Sequence, residues 1–150
     1  MQVADLESIS RSALVPYTPQ EMFALVRDVD TYPRFLPWCS GAQTLQREGD
    51  EVEARIDFHI SGMSKSFTTR NRHVGNELIH MQLVDGPFSA LEGNWRFEPL
   101  GEHGCRISLD LEYDFSSHVV SLVTGPVFSK IANSLVDAFR ERAVEVYGER

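Results

Sequence analysis

One apolar stripe runs through about the last thirty residues of the chain, at positions 117–147. Nearly all of its members stand three or four residues apart: Val120, Val123, Val127, Phe128, Ile131, Leu135, Phe139, Ala143 and Val146. This spacing predicts a long α-helix with one broad apolar face, which must be buried against another element. Almost everything before the helix has strand-like patterning, so the predicted partner is a sheet. A long helix across a curved sheet either packs tightly against it or encloses a cavity.

Gly125 and Pro126 interrupt this helical stretch. Because proline removes a backbone donor and clashes with the preceding turn, we expect a break or kink, with Thr124 capping a helix that restarts at Pro126. Gly148 is well placed to end that helix. On this hypothesis the segment before Pro126 moves as a gate, while residues 128–146 stay gripped by the sheet.

Seven stretches before the helix predict β-strands, because apolar and polar residues alternate in most of them and turn residues separate them. They are residues 7–15, 42–48, 52–60, 65–74, 78–84, 88–99 and 105–115. Tight turns such as Gly49-Asp50 and Ser61-Gly62 imply antiparallel neighbours. In the sixth strand Gly93 faces inward, which leaves space for a sharp bend of the sheet or the close approach of a helix or ligand.

Two short helices are expected between the first two strands. Thr18 can cap the first helix and Glu21 can complete a capping box with it, and a second helical turn is expected at Phe35-Leu36. Helices segregated to one face of an antiparallel sheet make an α+β domain. We therefore expect residues 1–150 to form a single domain with about six or seven strands.

The net charge is −8, from 22 acidic and 14 basic residues. Proteins that bind nucleic acid through its phosphates normally carry the opposite sign, so DNA is not an expected partner. One basic cluster lies within a single predicted strand: Lys65, Arg70, Arg72 and His73. We interpret this cluster as a solvated strand face.

The sequence contains no apolar run of the ~18 residues that would span a membrane. The first seven residues are acidic, with no basic segment before an apolar run, so a signal peptide is not expected. These features predict a cytoplasmic location, with at most peripheral contact at the inner face of the membrane. The two cysteines, Cys39 and Cys105, are expected to be reduced.

Few residues indicate catalysis. The five histidines have no metal-ligand spacing, and there is no Gly-x-Ser-x-Gly motif and no phosphate-binding glycine loop. We therefore expect no metal, no catalytic residue and no required cofactor. The aromatic, proline-rich stretch at residues 32–39 forms either a hydrophobic plug at one end of the core or a lid that meets a ligand or partner. The candidate mouth or partner-surface residues are Phe35, Pro37, Trp38, Lys65 and Arg70.

Four short sequence motifs, in their order along the chain, carry a resemblance to a known family. They are RSALVPY at 11–17, DVDTYPRFLPWC at 28–39, GPFSALEGNWRF at 86–97, and FRERA at 139–143 followed by Tyr147-Gly148. In these motifs the chain resembles the coenzyme-Q-binding group of the START-like, helix-grip superfamily. That group includes the RatA-type ribosome association toxins, and the superfamily also includes polyketide cyclases. The resemblance implies a curved antiparallel sheet wrapped around the terminal helix, with an apolar cavity between them.

The inward apolar residues are the candidate lining of such a cavity. They are Phe58, Phe67, Met81, Phe88, Leu91, Trp95, Leu109, Leu111, Phe128, Ile131, Leu135 and Phe139. The same residues would equally make an ordinary packed core.

Three functional hypotheses follow. The first, implied by the resemblance, is non-enzymatic binding of ubiquinone or a related polyprenyl quinone in the cavity between the sheet and the terminal helix, which supports respiration. The second is a toxin-type translation inhibitor that binds the large ribosomal subunit and blocks subunit association. The third is a cyclase-like enzyme, which would need several polar groups converging in the cavity.

Overall fold

The protein is described by a computed structural model that covers residues 6–60 and 62–150. The acidic N-terminal stretch, apart from Leu6 and Glu7, and Ser61 of the predicted Ser61-Gly62 turn lie outside the described residues. The elements, in chain order, are β1 (Glu7–Val15), α1 (Pro19–Arg27), a 3-10 helix (Val29–Arg34), β2 (Cys39–Glu48), β3 (Glu51–Ile60), β4 (Met63–Val74), β5 (Leu78–Asp85), β6 (Phe88–Leu100), β7 (Gly104–Phe115) and α2 (His118–Tyr147).

The seven strands form one antiparallel sheet in the order β1-β7-β6-β5-β4-β3-β2. Strands β2 to β7 follow one another as a meander, and β1 joins the sheet beside β7. Register shifts interrupt the ladders in β2, between β4 and β5, and at the start of β6. Such irregularities bend and twist a sheet. The predicted α+β architecture, with its long terminal helix, is confirmed.

Local sequence explains where the helices begin and end. Thr18 and Glu21 form the predicted capping box of α1, with hydrogen bonds of 3.2 Å and 3.0 Å. The Ser117 hydroxyl accepts a hydrogen bond of 3.1 Å from the Val120 amide at the start of α2. Gly148, with φ of 85°, ends α2 as predicted, because glycine adopts positive φ without steric cost.

The predicted break in α2 at Gly125-Pro126 is wrong. The helix runs unbroken from His118 to Tyr147 with Pro126 inside it. Proline at this position deprives the carbonyl of Leu122 of its helical donor, but Pro126 and Leu122 are both exposed, so water can hydrogen-bond that carbonyl. Thr124 is not a cap: it is buried, with its hydroxyl 3.5 Å from the sulfur of Met63. The gate hypothesis rested on this break and is dropped.

The second short helix was also predicted in the wrong place. It spans Val29–Arg34 and includes Pro33, whereas Phe35 is its C-terminal cap. A 3-10 helix of this length loses little by containing one proline, and burial of Val29 and Tyr32 anchors it to the core. The Tyr32 hydroxyl donates a hydrogen bond of 2.5 Å to the carbonyl of Val26, which ties the 3-10 helix to α1.

Gly93 of β6 is buried, and its neighbours fill the space that a side chain would need. A Cβ atom added there would stand 2.7 Å from the Asp110 carbonyl oxygen and 2.8 Å from a methyl group of Leu111. We expect Gly93→Ala to lower the free energy of unfolding by about 1–3 kcal/mol, because a backbone atom cannot move aside cheaply. Urea denaturation measures this change.

Gly125→Ala is the matched control for that substitution. Its added Cβ would meet the Phe115 ring at 3.7 Å, an ordinary contact, and it lies inside a helix. Replacing a helical glycine by alanine is expected to stabilise the protein by about 0.5–1 kcal/mol. Equal effects of the two substitutions would contradict the crowding at Gly93.

Candidate functional site

A cavity of about 80 Å³ lies between the inner face of the sheet and α2. It sits where two clusters of buried side chains meet, one around Phe139 and the other around Phe128. Its lining is Val29, Tyr32, Trp38, Ile56, Phe58, Phe67, Thr69, Asn71, Met81, Leu91, Trp95, Leu109, Leu111, Phe128, Ile131, Ala132, Leu135 and Phe139.

The helix side of the cavity comes from one face of α2. Phe128, Ile131, Leu135 and Phe139 follow one another at steps of three or four residues, as the apolar stripe predicted, and Ala132 adds a small side chain beside them. The sheet side comes from alternate residues of β3 to β7, since successive side chains in a strand point to opposite faces. The amphipathic patterns of helix and strands thus place both walls.

Every predicted lining residue except Phe88 borders the cavity. Phe88 is buried, but its ring stacks on Phe115 at 5.1 Å and meets the edges of Phe128 and Tyr113. It begins β6 at the end of the sheet where α2 starts, so it fills the core beyond the cavity. Its placement in the lining was wrong because alternation predicts the face of a strand, not the position along the cavity.

Two polar residues in the lining were not predicted. Thr69 and Asn71 of β4 are 4% and 8% exposed, and the Thr69 hydroxyl donates a hydrogen bond of 2.9 Å to the side-chain oxygen of Asn71. Their position could have been predicted from strand alternation. They stand two and four residues after Phe67, so their side chains share its inner face. Their polarity made β4 resemble a solvated strand.

The surroundings of this pair are apolar. Val52 and Ala54 of β3 stand opposite Asn71 and Thr69 and are buried, and Met81 of β5 stands opposite Asn71 on the other side. Fully buried side-chain nitrogen and oxygen atoms among the described residues all have hydrogen-bond partners. Asn71 borders the cavity, and with its side-chain oxygen bonded to Thr69 its amide group is a candidate donor to a ligand.

The stretch at residues 32–39 packs against one end of the core, and its contact with a ligand or partner stays a prediction. Leu36 is buried and plugs the end of the core, whereas Trp38 borders the cavity. Phe35 lies just outside it, packed edge-on against Phe139 at 5.3 Å and covered by the Arg142 guanidinium at 4.9 Å. Pro37 is exposed and does not border the cavity.

The two predicted basic residues of β4 lie on opposite faces of the sheet. Arg70 points outward, lies 3.8 Å from Glu53 and does not border the cavity, which agrees with the interpretation of a solvated strand face. Arg70 stands three residues after Phe67, so the two side chains point to opposite faces of the strand. Lys65 shares the inner face, opposite Phe58 and half-buried, but does not border the cavity.

The side chains that line the cavity are uncharged and mostly apolar. Burial raises the pKa of the Cys39 and Cys105 thiols to about 11, so both stay protonated at neutral pH. Burial also raises the pKa of Tyr32 well above its usual range. Within residues 6–60 and 62–150, no group of three or more His, Cys, Asp or Glu side chains is arranged to hold a metal ion.

Residues 15–140 match the family described as polyketide cyclase / dehydrase and lipid transport. The chain belongs to this family. Among similar curated members, the ribosome association toxin RatA of Escherichia coli (strain K12) is 45% identical over 145 residues, which cover 97% of this chain and 92% of the relative. The mitochondrial coenzyme Q-binding protein coq10 of Schizosaccharomyces pombe is 24% identical over 145 residues, covering 92% of this chain and 87% of the relative.

Solved structures place this polyketide cyclase / lipid transport family member in a known fold. The Zhui aromatase/cyclase from Streptomyces sp. R1128 matches with a TM-score of 0.82 at 13% identity, over 97% of this chain and 99% of that one. A START superfamily protein from Mycobacterium smegmatis matches with a TM-score of 0.79 at 23% identity, over 93% and 98%. The fold is therefore the predicted START-like helix-grip fold.

Proposed function

We propose that the cavity binds an apolar molecule carrying one hydrogen-bond acceptor, of the polyprenyl quinone class that includes ubiquinone, and does not transform it. The observation that carries this proposal is an apolar cavity with one buried polar pair, Thr69 and Asn71. Pockets for small molecules commonly combine apolar walls with a few placed polar groups that orient the ligand. The name of the coq10 relative supports the same ligand class.

The polar pair matches the polar end of a quinone. The Asn71 amide nitrogen would donate to a ring carbonyl, while the Thr69 hydroxyl holds the amide by donating to its oxygen. Apolar walls suit an isoprenoid tail, for which each buried carbon contributes ~0.8 kcal/mol. The residues present therefore fit such a ligand in their chemistry.

The size of the cavity sets a further condition. At about 80 Å³ it is smaller than the cavity of about 150 Å³ that holds benzene in another protein. A quinone ring therefore requires the walls to open. Met81 and the half-buried Leu135 border the cavity, and methionine adapts readily to new neighbours because its unbranched side chain has three rotatable bonds. We expect ligand binding to be coupled to movement of these side chains.

The chemistry of the same groups supports the proposal that the ligand is not transformed. Acid–base catalysis needs a side chain that exchanges protons near the working pH. The polar groups bordering the cavity are a hydroxyl, an amide, two indoles and a phenol whose pKa is raised by burial. A cyclase-like reaction is disfavoured for this reason, although a cyclase shares the fold.

Organic extraction of the purified protein, followed by mass spectrometry, tests the ligand proposal. Protein produced in a bacterium that makes ubiquinone should release quinone in an amount that scales with protein. A Leu135→Arg preparation treated identically should release much less, because that residue borders the cavity. Equal traces from both preparations would reject the proposal.

The polar pair gives a second, finer prediction. The double substitution Thr69→Val and Asn71→Leu removes both polar partners together, so the fold should lose little stability. We expect quinone affinity to fall about tenfold through loss of the hydrogen bond, while affinity for the same isoprenoid tail without its ring stays unchanged. Calorimetric titration measures both, and equal losses for the two ligands would contradict the assigned orientation.

We also propose a second function, contact with the ribosome that impairs subunit association, through the large subunit. The similarity to RatA at 45% identity over 97% of the chain favours it. The outer face of the sheet offers cations to ribosomal RNA, including Arg70 and Arg72 on β4. The two proposals use opposite faces of the sheet and are compatible.

Sucrose-gradient profiles after overproduction test the ribosomal proposal. The wild-type chain should decrease 70S particles and increase free subunits. Arg70→Ala with Arg72→Ala should weaken this effect, since each lost phosphate contact reduces affinity. The cavity variant Leu135→Arg tells whether the effect also needs the ligand. An unchanged profile with well-produced wild-type protein would reject ribosome action.

A further inference from the structure

The first turns of α2 expose large apolar side chains. Val119, Leu122 and Val123 are 70%, 65% and 60% exposed, and their spacing places them on one face of the helix together with Pro126. Further along the same helix, the apolar residues that face the sheet are buried. The apolar surface of α2 is thus exposed to solvent at this end, where none of residues 6–60 and 62–150 covers these side chains.

The charge around this apolar face differs from that of the whole chain. The chain carries a net charge of −8, yet neither residues 58–76 nor residues 115–136 contain an aspartate or glutamate. These two segments meet where the Thr124 hydroxyl lies 3.5 Å from the sulfur of Met63. The segments supply Lys65 and Lys130, and Lys130 lies seven residues after Val123, on the same exposed helix face.

Several carboxylates lie near this end of the molecule, among them Asp57, which stands opposite Ser66 and is paired with Arg55 at 2.9 Å. Asp114 precedes α2, and its oxygens accept hydrogen bonds from the Phe115 amide at 2.9 Å and the Ser89 hydroxyl at 3.3 Å. Asp85 ends β5 and is exposed. None of these carboxylates belongs to the exposed helix face.

We propose that this end of the molecule, residues 118–126 of α2 with the adjoining start of β4, docks onto the surface of an anionic phospholipid bilayer. The valine and leucine side chains would enter the interfacial region, and Lys65 and Lys130 would meet the phosphates. Apolar residues on one helix face with lysine at its edge are typical of helices that lie in a membrane interface. Cations near the surface add to the attraction of anionic lipids.

Other occupants fit these residues less well. Ribosomal RNA would meet the lysines but leave the valine and leucine side chains without an apolar partner. A second copy packed symmetrically on this face would offer Lys130 no carboxylate from the same segment, because residues 115–136 contain no aspartate or glutamate. Although α2 has the length and hydropathy of a membrane span, Phe139 and Val136 are buried in the core, so the docked helix stays in the fold. The inference rests on these surface residues and does not depend on the quinone proposal.

Vesicle flotation tests the docking surface. We expect the wild-type chain to float with phosphatidylcholine vesicles containing about one third phosphatidylglycerol, and to float less with phosphatidylcholine alone or in high salt. Leu122→Glu with Val123→Glu should reduce binding about tenfold or more, by replacing inserted apolar groups with like charges. All positions changed are exposed, and circular dichroism checks that the fold is kept.

Leu14→Glu is the matched control. Leu14 is 64% exposed, as Leu122 is 65% exposed, but it lies on β1. This variant should float like the wild type. Wild-type protein that does not float, or a double variant that floats as well as Leu14→Glu, would overturn the proposal. So would a wild-type dimer that the double substitution dissociates, because the face would then be a self-association surface.

Discussion

Replacing Leu135 by arginine is expected to weaken quinone binding by about a hundredfold or more, because an unpaired charge would enter an apolar cavity. Leu135 borders the cavity from α2, so the longer arginine side chain would also occupy part of the space that the ligand needs. Equilibrium dialysis with a short-chain ubiquinone measures the loss. The substitution changes the apolar wall of the cavity and leaves Thr69 and Asn71 unchanged.

Leu135→Met is the matched control for this experiment. Methionine has a similar volume and no charge, so affinity should stay close to that of the wild type. Circular dichroism and urea denaturation of both variants distinguish lost binding from lost folding. A folded Leu135→Arg protein that binds quinone as well as Leu135→Met would contradict the location of the site.

Phe139→Ala is expected to lower the free energy of unfolding by about 3–5 kcal/mol, the cost of removing a large aromatic ring from a packed core. Phe139 is 0% exposed. Its ring meets Tyr32, Phe35 and Trp95 edge-on, with centroids 5.4, 5.3 and 5.3 Å away. It therefore joins α2, the 3-10 helix with its cap, and β6 in one aromatic cluster. Urea denaturation at constant pH measures the change.

The control for that experiment is Val123→Ala on the same helix. Val123 is exposed, so its truncation should alter stability by less than about 0.5 kcal/mol. A loss below about 1.5 kcal/mol for Phe139→Ala would show that its neighbours collapse easily into the space, or that the cluster is less tightly packed than these distances indicate.

Much of the fold could be predicted from the sequence because local rules determined it. Alternation in β3, β6 and β7 identified the inner face of the sheet, and Thr18 and Gly148 marked helix ends through capping chemistry. The rule for proline wrongly predicted a break of α2 at Pro126. Its missing hydrogen bond leaves a carbonyl on the exposed side of α2, and that exposure is a tertiary property.

The candidate site could be predicted only in part. Residues were assigned correctly where patterning places an apolar side chain on the inner face, as for Trp95 and Leu109. Thr69 and Asn71 were missed because a polar side chain in a strand is usually solvated, and only their mutual hydrogen bond makes their burial acceptable. Phe88 was misplaced because position along the sheet depends on register. The small volume of the cavity depends on packing, which no local pattern contains.

Tryptophan fluorescence gives the most direct measurement of the central claim that the cavity binds a quinone. The chain has two tryptophans, Trp38 and Trp95, and both border the cavity. Titration with a short-chain ubiquinone should quench their emission to saturation at about one ligand per chain, and Leu135→Arg should lose the saturable component. Quenching that rises linearly without saturation, and equally in the wild type and in Leu135→Arg, would be collisional and would contradict the account.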